Sequence, residues 1–92
     1  RAVEDLGVQT ILRLDKPQRE EENAKKYDYG VTVRKEVSIP GYGRADAIDD
    51  VNKIVYELKP DNPKAIARGL KQLDQYLRGL GKGWIGKIVT YK

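Results

Sequence analysis

Three residues of this chain have the types and spacing to do chemistry together: Asp46, Glu57 and Lys59, within "GRADAIDDVNKIVYELKP" at residues 43–60. Glu57 and Lys59 stand two apart in a run otherwise made of Ile54, Val55, Tyr56 and Leu58. On a strand, positions i and i+2 share a face about 6–7 Å apart, so the two charges point the same way. Leu58 points oppositely, to the core, with Tyr56 and Ile54. Asp46 sits in the preceding extended segment, one short turn away, where a position beside Glu57 is geometrically natural. Asp49 and Asp50 are nearer that turn and are expected to be solvated. Two carboxylates that converge across adjacent strands repel each other unless a cation lies between them. The chain has no His and no Cys. Oxygen ligands are what it can offer, and those suit Mg²⁺ or Mn²⁺.

The missing residue types exclude whole classes of function. Without Cys there is no disulfide and no thiolate metal site. Without His there is no Ser-His-Asp triad, no His-based phosphodiester cleavage and no zinc finger. Catalysis is left to carboxylates, Lys, Arg, Tyr, amides or an oxygen-bound metal. Ninety-two residues make one domain, residues 1–92, with room for one small core. The 18 basic residues exceed the 14 acidic ones by +4, and the pI near 9.3 favours a polyanionic partner. No apolar run approaches the roughly 18 residues of a membrane span, and no signal peptide is visible. The chain starts at Arg1 and contains no Met, so it reads as a piece of a longer protein.

The elements that must position the three residues follow from pattern. "RAVEDLGVQTILRL" at 1–14 fits a helical stripe broken by Gly7, while "VQTILRL" fits a strand equally well. "DKPQREEENAKKYDY" at 15–29 is charged with almost no apolar face and reads as an exposed loop or solvated helix. "VTVRKEVSI" alternates Val31, Val33, Val37 and Ile39, a half-buried strand. "PGYG" turns the chain, "RADAID" is a second strand and "KIVYELK" a third, which makes an antiparallel meander. In "PDNPKAIARGLKQLDQYLRGLG", Asn62 caps a helix, Pro63 takes its first position and Gly81 ends it. Its expected apolar stripe is Ile66, Leu70, Leu73, Leu77 and Leu80. "WIGKIVTY" is a last strand, expected parallel to a neighbour because it is entered from a helix.

On these residues the chain resembles a known family. "RADAID…IVYELKP", followed by "GLKQLDQYL" on the next helix, is similar to the PD-(D/E)xK nucleases of restriction-endonuclease-like fold. More narrowly, it resembles the nuclease toxin domains at the C-termini of bacterial polymorphic and contact-dependent growth inhibition toxins. The resemblance covers about residues 31–91 and implies a single small α/β domain, αβββαβ, with a mixed sheet. It implies Asp46 and Glu57 as metal ligands, joined by the backbone carbonyl of Leu58, with Lys59 as the catalytic lysine. Gln72 matches a glutamine of related nucleases. Ala45 stands where many members have Pro, and the further Glu that a first helix often supplies has only Glu4 as a candidate, with Glu20, Glu21 and Glu22 behind it.

The activity implied is hydrolysis of a phosphodiester with a divalent ion, Mg²⁺ or Mn²⁺ with Zn²⁺ as an alternative, DNA being the first choice of substrate and RNA, including transfer RNA, the second. Arg68, Lys71 and Arg78 are candidates for a phosphate-binding helix face; the commoner meaning of such charges is a solvated face. Tyr76 and Trp84 have the ring faces to stack on bases, against the commoner role of packing. A toxin reading further implies secretion or delivery from a cell surface, action in the target cytoplasm and a cognate immunity protein, acidic where the toxin is basic. A non-catalytic nucleic-acid-binding domain and a housekeeping resolvase or repair nuclease are the rival readings.

Overall fold

Period-two alternation and glycine turns shape most of the sheet in a computed structural model that describes residues 9–13 and 29–91. Strands β1 (Gln9–Arg13), β2 (Val33–Ile39), β3 (Gly43–Asp49) and β4 (Ile54–Pro60) precede helix α1 (Pro63–Leu80) and strand β5 (Ile85–Tyr91). They form one five-stranded sheet in the order β1-β5-β4-β3-β2. β2, β3 and β4 are the antiparallel meander, while β5 lies parallel to both β4 and β1. The sheet is mixed, and the domain is α/β, as the pattern predicts. Of the two readings of the first segment, the strand holds at Gln9–Arg13. The expected first helix with Glu4, and the charged segment with Glu20, Glu21 and Glu22, lie outside the described residues.

Local chemistry sets the boundaries. Gly41 and Gly43 take φ of +83° and +119° in the β2–β3 turn, the left-handed region that glycine enters without steric cost. Val31 does not join β2. It stands fully exposed in the turn before it, where Val33 N–H donates to Gly30 C=O at 3.4 Å. Asn62 caps α1, its side-chain oxygen accepting from Ala65 N–H at 2.8 Å, and Pro63 opens the first turn. Gly81, at φ 97°, ends the helix and donates to Leu77 C=O.

The helix lies on one sheet face and closes the main core: Ile39, Ala45, Ile48, Val55, Leu73, Tyr76, Leu77 and Ile88. Its buried stripe is Ala65, Gly69, Leu73, Tyr76 and Leu77. The expected stripe is thus rotated: Ile66, Leu70 and Leu80 are half-buried at its margin. The cause is close approach, because small residues at 65 and 69 let the helix axis settle against the sheet and bring their own face inward. The opposite face carries a smaller cluster of Ala47, Tyr56 and Val89, flanked by Tyr29, Val33, Ile54 and Leu58. No helix among the described residues is long and apolar enough to cross a membrane.

Candidate active site

The site forms where β3 and β4 part. β4 pairs with β5 along its whole length, from Ile54↔Ile85 to Pro60↔Tyr91, but with β3 only at Ala47↔Tyr56, Ile48↔Val55 and Asp49↔Ile54. The next pair in that register, Asp46 with Glu57, is not made. In its place the Asp46 carboxylate reaches across, and its Oδ2 accepts from Leu58 N–H at 2.6 Å. A buried amide that has lost its ladder partner must be satisfied another way, and a side-chain oxygen satisfies it here. On the outer side, β2 distorts at the same level. Glu36, the residue opposite Asp46, drops out of the β2–β3 register with a φ of +53°, a sparsely populated region for a residue with a Cβ. Asp46, Leu58, Glu36, Lys35 and Tyr29 line one small cleft.

Glu57 and Lys59 share a face, as their spacing requires. That face is the one α1 covers, not an open polar face. Leu58, Tyr56 and Ile54 belong to the smaller cluster behind the sheet. Glu57 is 4 % exposed, and its Oε2 lies 3.3 Å from Lys59 Nζ. Burial, and secondarily the Asp46 carboxylate, push the Glu57 carboxyl up to about 7 against the opposing pull of Lys59. Its second oxygen, Oε1, is buried with no hydrogen-bond partner, and so is Oε1 of Gln72 on α1. A buried acceptor without a donor is the kind of group that a cation or its bound water satisfies.

These oxygens fit a hard divalent ion. Asp46 and Glu57 supply two carboxylates. Leu58 C=O leaves β4 on the same side as its N–H, toward the gap that Asp46 bridges. No group of three or more acidic side chains gathers among the described residues, so neutral oxygens and water would complete the shell.

Other predicted residues separate into near and far. Gln72 is half-buried on α1, three residues after Gly69, the helix position that abuts Lys59. Arg68 and Lys71 are exposed on the adjoining helix surface, and Arg78 is exposed and paired with Asp74 at 3.4 Å. Tyr76 and Trp84 pack against the core. The Tyr76 hydroxyl donates to Arg44 C=O at 2.8 Å beside the Glu57 carboxylate, and burial, with Glu57 and Asp46, raises its pKa. Asp49 corrects the expectation of a solvated side chain. It is 4 % exposed, and its Oδ1 accepts from Val51 N–H and Asn52 N–H while Oδ2 accepts from Asn52 Nδ2. The Asn52 hydrogen bonds hold its carboxyl below the usual value. It ties the β3–β4 turn. A signal for this was present in the sequence, since Asp three residues before Asn at a turn is a common local capping arrangement.

The family model described as "Restriction endonuclease fold toxin 9" matches residues 13–91. No curated protein and no solved structure matches the chain.

Proposed function

The chain belongs to the restriction endonuclease fold toxin 9 family, and on that premise we propose that it is a divalent-metal-dependent endonuclease whose site is Asp46, Glu57, Lys59 and Gln72. The observation that carries this reading is the buried Glu57 carboxylate, its Oε1 without a partner and its Oε2 on Lys59, with Asp46 close enough to raise its pKa and already reaching across the β3–β4 gap. Asp46, Glu57 and the Leu58 carbonyl would hold the ion. When bound, the ion supplies a more acidic water and a Lewis acid for a phosphate oxygen. Gln72 Oε1 would accept a hydrogen bond from a water and help turn it toward phosphorus. The water oxygen bonds to phosphorus as the P–O bond to the leaving sugar oxygen breaks; the attacking water gives up its proton to solvent and the leaving oxygen takes one from solvent. Lys59, 3.3 Å from Glu57, keeps its ammonium where negative charge grows on the phosphate. Arg68 and Lys71 flank the site-facing turn of α1 and hold neighbouring phosphates.

DNA is the proposed substrate. Within a competition system the toxin is delivered into a target cell, and the producing cell protects itself with an acidic immunity protein that covers the basic helix surface. The test is cleavage of supercoiled plasmid and, in parallel, of total transfer RNA. Wild type is expected to nick plasmid with Mg²⁺ or Mn²⁺ and to stop in excess EDTA, while Asp46→Asn, Glu57→Gln and Lys59→Ala are folded and inactive. Undiminished cutting in EDTA would sink the metal mechanism. Cutting of transfer RNA alone would move the substrate from DNA to RNA.

A further inference from the structure

The geometry points to Gly69 as the residue that positions Lys59. This rests on the reading of Lys59 as the ammonium of the site. A glycine inside an 18-residue helix needs a reason, because glycine is the poorest helix former apart from proline. Backbone freedom is not that reason, since the φ of Gly69 does not lie in the left-handed region. Close approach is. A Cβ built on Gly69 would stand 2.9 Å from Lys59 Cγ, 3.5 Å from Lys59 Cε and 3.1 Å from Ile88 Cδ1. The Lys59 stem therefore runs through a notch in the helix that only hydrogen leaves open, and the notch steers the stem to where Nζ meets Glu57.

The first of these contacts matters most. Cγ is one bond beyond Cβ, so it does not yield as the tip of a long side chain does. Displacing it means changing a torsion near the backbone, and the remaining stem then acts as a lever on Nζ. A lysine that is 18 % exposed has few other staggered paths to the same place. The bland alternative is that Gly69 merely makes room for Ile88. The two roles are separable, because Ile88→Val deletes the crowded Cδ1 and leaves Lys59 untouched.

The experiment compares Gly69→Ala, Ile88→Val, the double variant and Lys59→Ala by thermal melting and by kcat and KM on supercoiled plasmid with Mg²⁺, with total transfer RNA as the second substrate. Gly69→Ala is expected to lose about 10- to 100-fold in kcat at an unchanged KM, the cost of a catalytic group misplaced by about 1 Å. Adding Ile88→Val is expected to recover melting temperature and leave kcat low. Wild-type kcat in Gly69→Ala overturns the assignment, and so does recovery of kcat together with melting in the double variant. If Gly69→Ala alone does not fold, the kcat of the double variant decides in the same way. Lys59→Ala separates the two claims: wild-type cutting by that variant removes the role of Lys59 itself, whereas a dead Lys59→Ala beside a fully active Gly69→Ala removes only the role of Gly69.

Discussion

Glu57 shows how one buried carboxylate ties stability to pH. Its folded value of about 7 lies above the ordinary 4.5, so the folded chain holds this proton more tightly than the unfolded chain does. The sign follows: the contribution to stability is fully present below pH 4.5 and is lost as pH rises through 7. The span of 4.5 to 7 corresponds to about 3 kcal/mol. Metal-free wild type should therefore melt progressively lower between about pH 5 and about pH 8. Glu57→Gln should flatten that slope and melt above wild type at the alkaline end, because a neutral amide has no charge to desolvate. Mg²⁺ should raise the melting temperature of wild type at the alkaline end and leave Glu57→Gln where it was. Equal slopes for the two proteins without metal would show that Glu57 does not titrate in this range.

At the scale of elements, β4 is a strand with two buried faces and two different duties. One face carries Val55, Glu57 and Lys59 under α1; the other carries Ile54, Tyr56 and Leu58 in the smaller cluster. Leu58 serves both, since its side chain packs behind the sheet while its backbone faces the site. Leu58→Ala should thus cost about 2 kcal/mol, the low end for a half-buried leucine, and keep cleavage within a few-fold, because the backbone groups remain. Asp49→Asn should do the same by another route. Its new Nδ2 would confront the Asn52 Nδ2 that Asp49 now accepts from, so melting temperature falls while cleavage at low temperature persists. Loss of cleavage by folded Leu58→Ala, or by folded Asp49→Asn, would mean that the site extends beyond the residues assigned to it.

For the molecule as a whole, the excess of four positive charges acts through where they stand. Arg68 and Lys71 are exposed on α1 beside Gln72, whereas Arg78 is already paired with Asp74 one turn before it. Each phosphate contact contributes about 0.9 to the slope of log affinity against log salt. Arg68→Gln with Lys71→Gln should therefore flatten that slope by up to about 2 on duplex DNA, and Arg78→Gln should change it less. Binding measured across a salt series, with the metal replaced by Ca²⁺ to slow cleavage, checks this. A slope unchanged by the double substitution would place the nucleic acid on another surface.

The elements were legible in the sequence because their signals are local. Alternation over Val33–Ile39, the "PGYG" turn, Asn62 and Pro63 ahead of the helix and Gly81 behind it each act within a few residues of where they stand. That Glu57 and Lys59 share one face was legible for the same reason, since strand periodicity alone puts them there. Tertiary structure decided which face that was. Alternation distinguishes two sides of a strand but does not say which side a helix will cover, and α1 settled against the charged one. The burial of Glu57, its raised pKa and its orphaned oxygen all follow from that placement. The Asp46 bond to Leu58 N–H arises only because β3 and β4 separate after Ala47, and Asp49 is buried only because its turn folds back on it. The notch at Gly69 has meaning only once Lys59, ten residues earlier, lies within it, since a glycine shows what it makes room for only when the neighbour is in place.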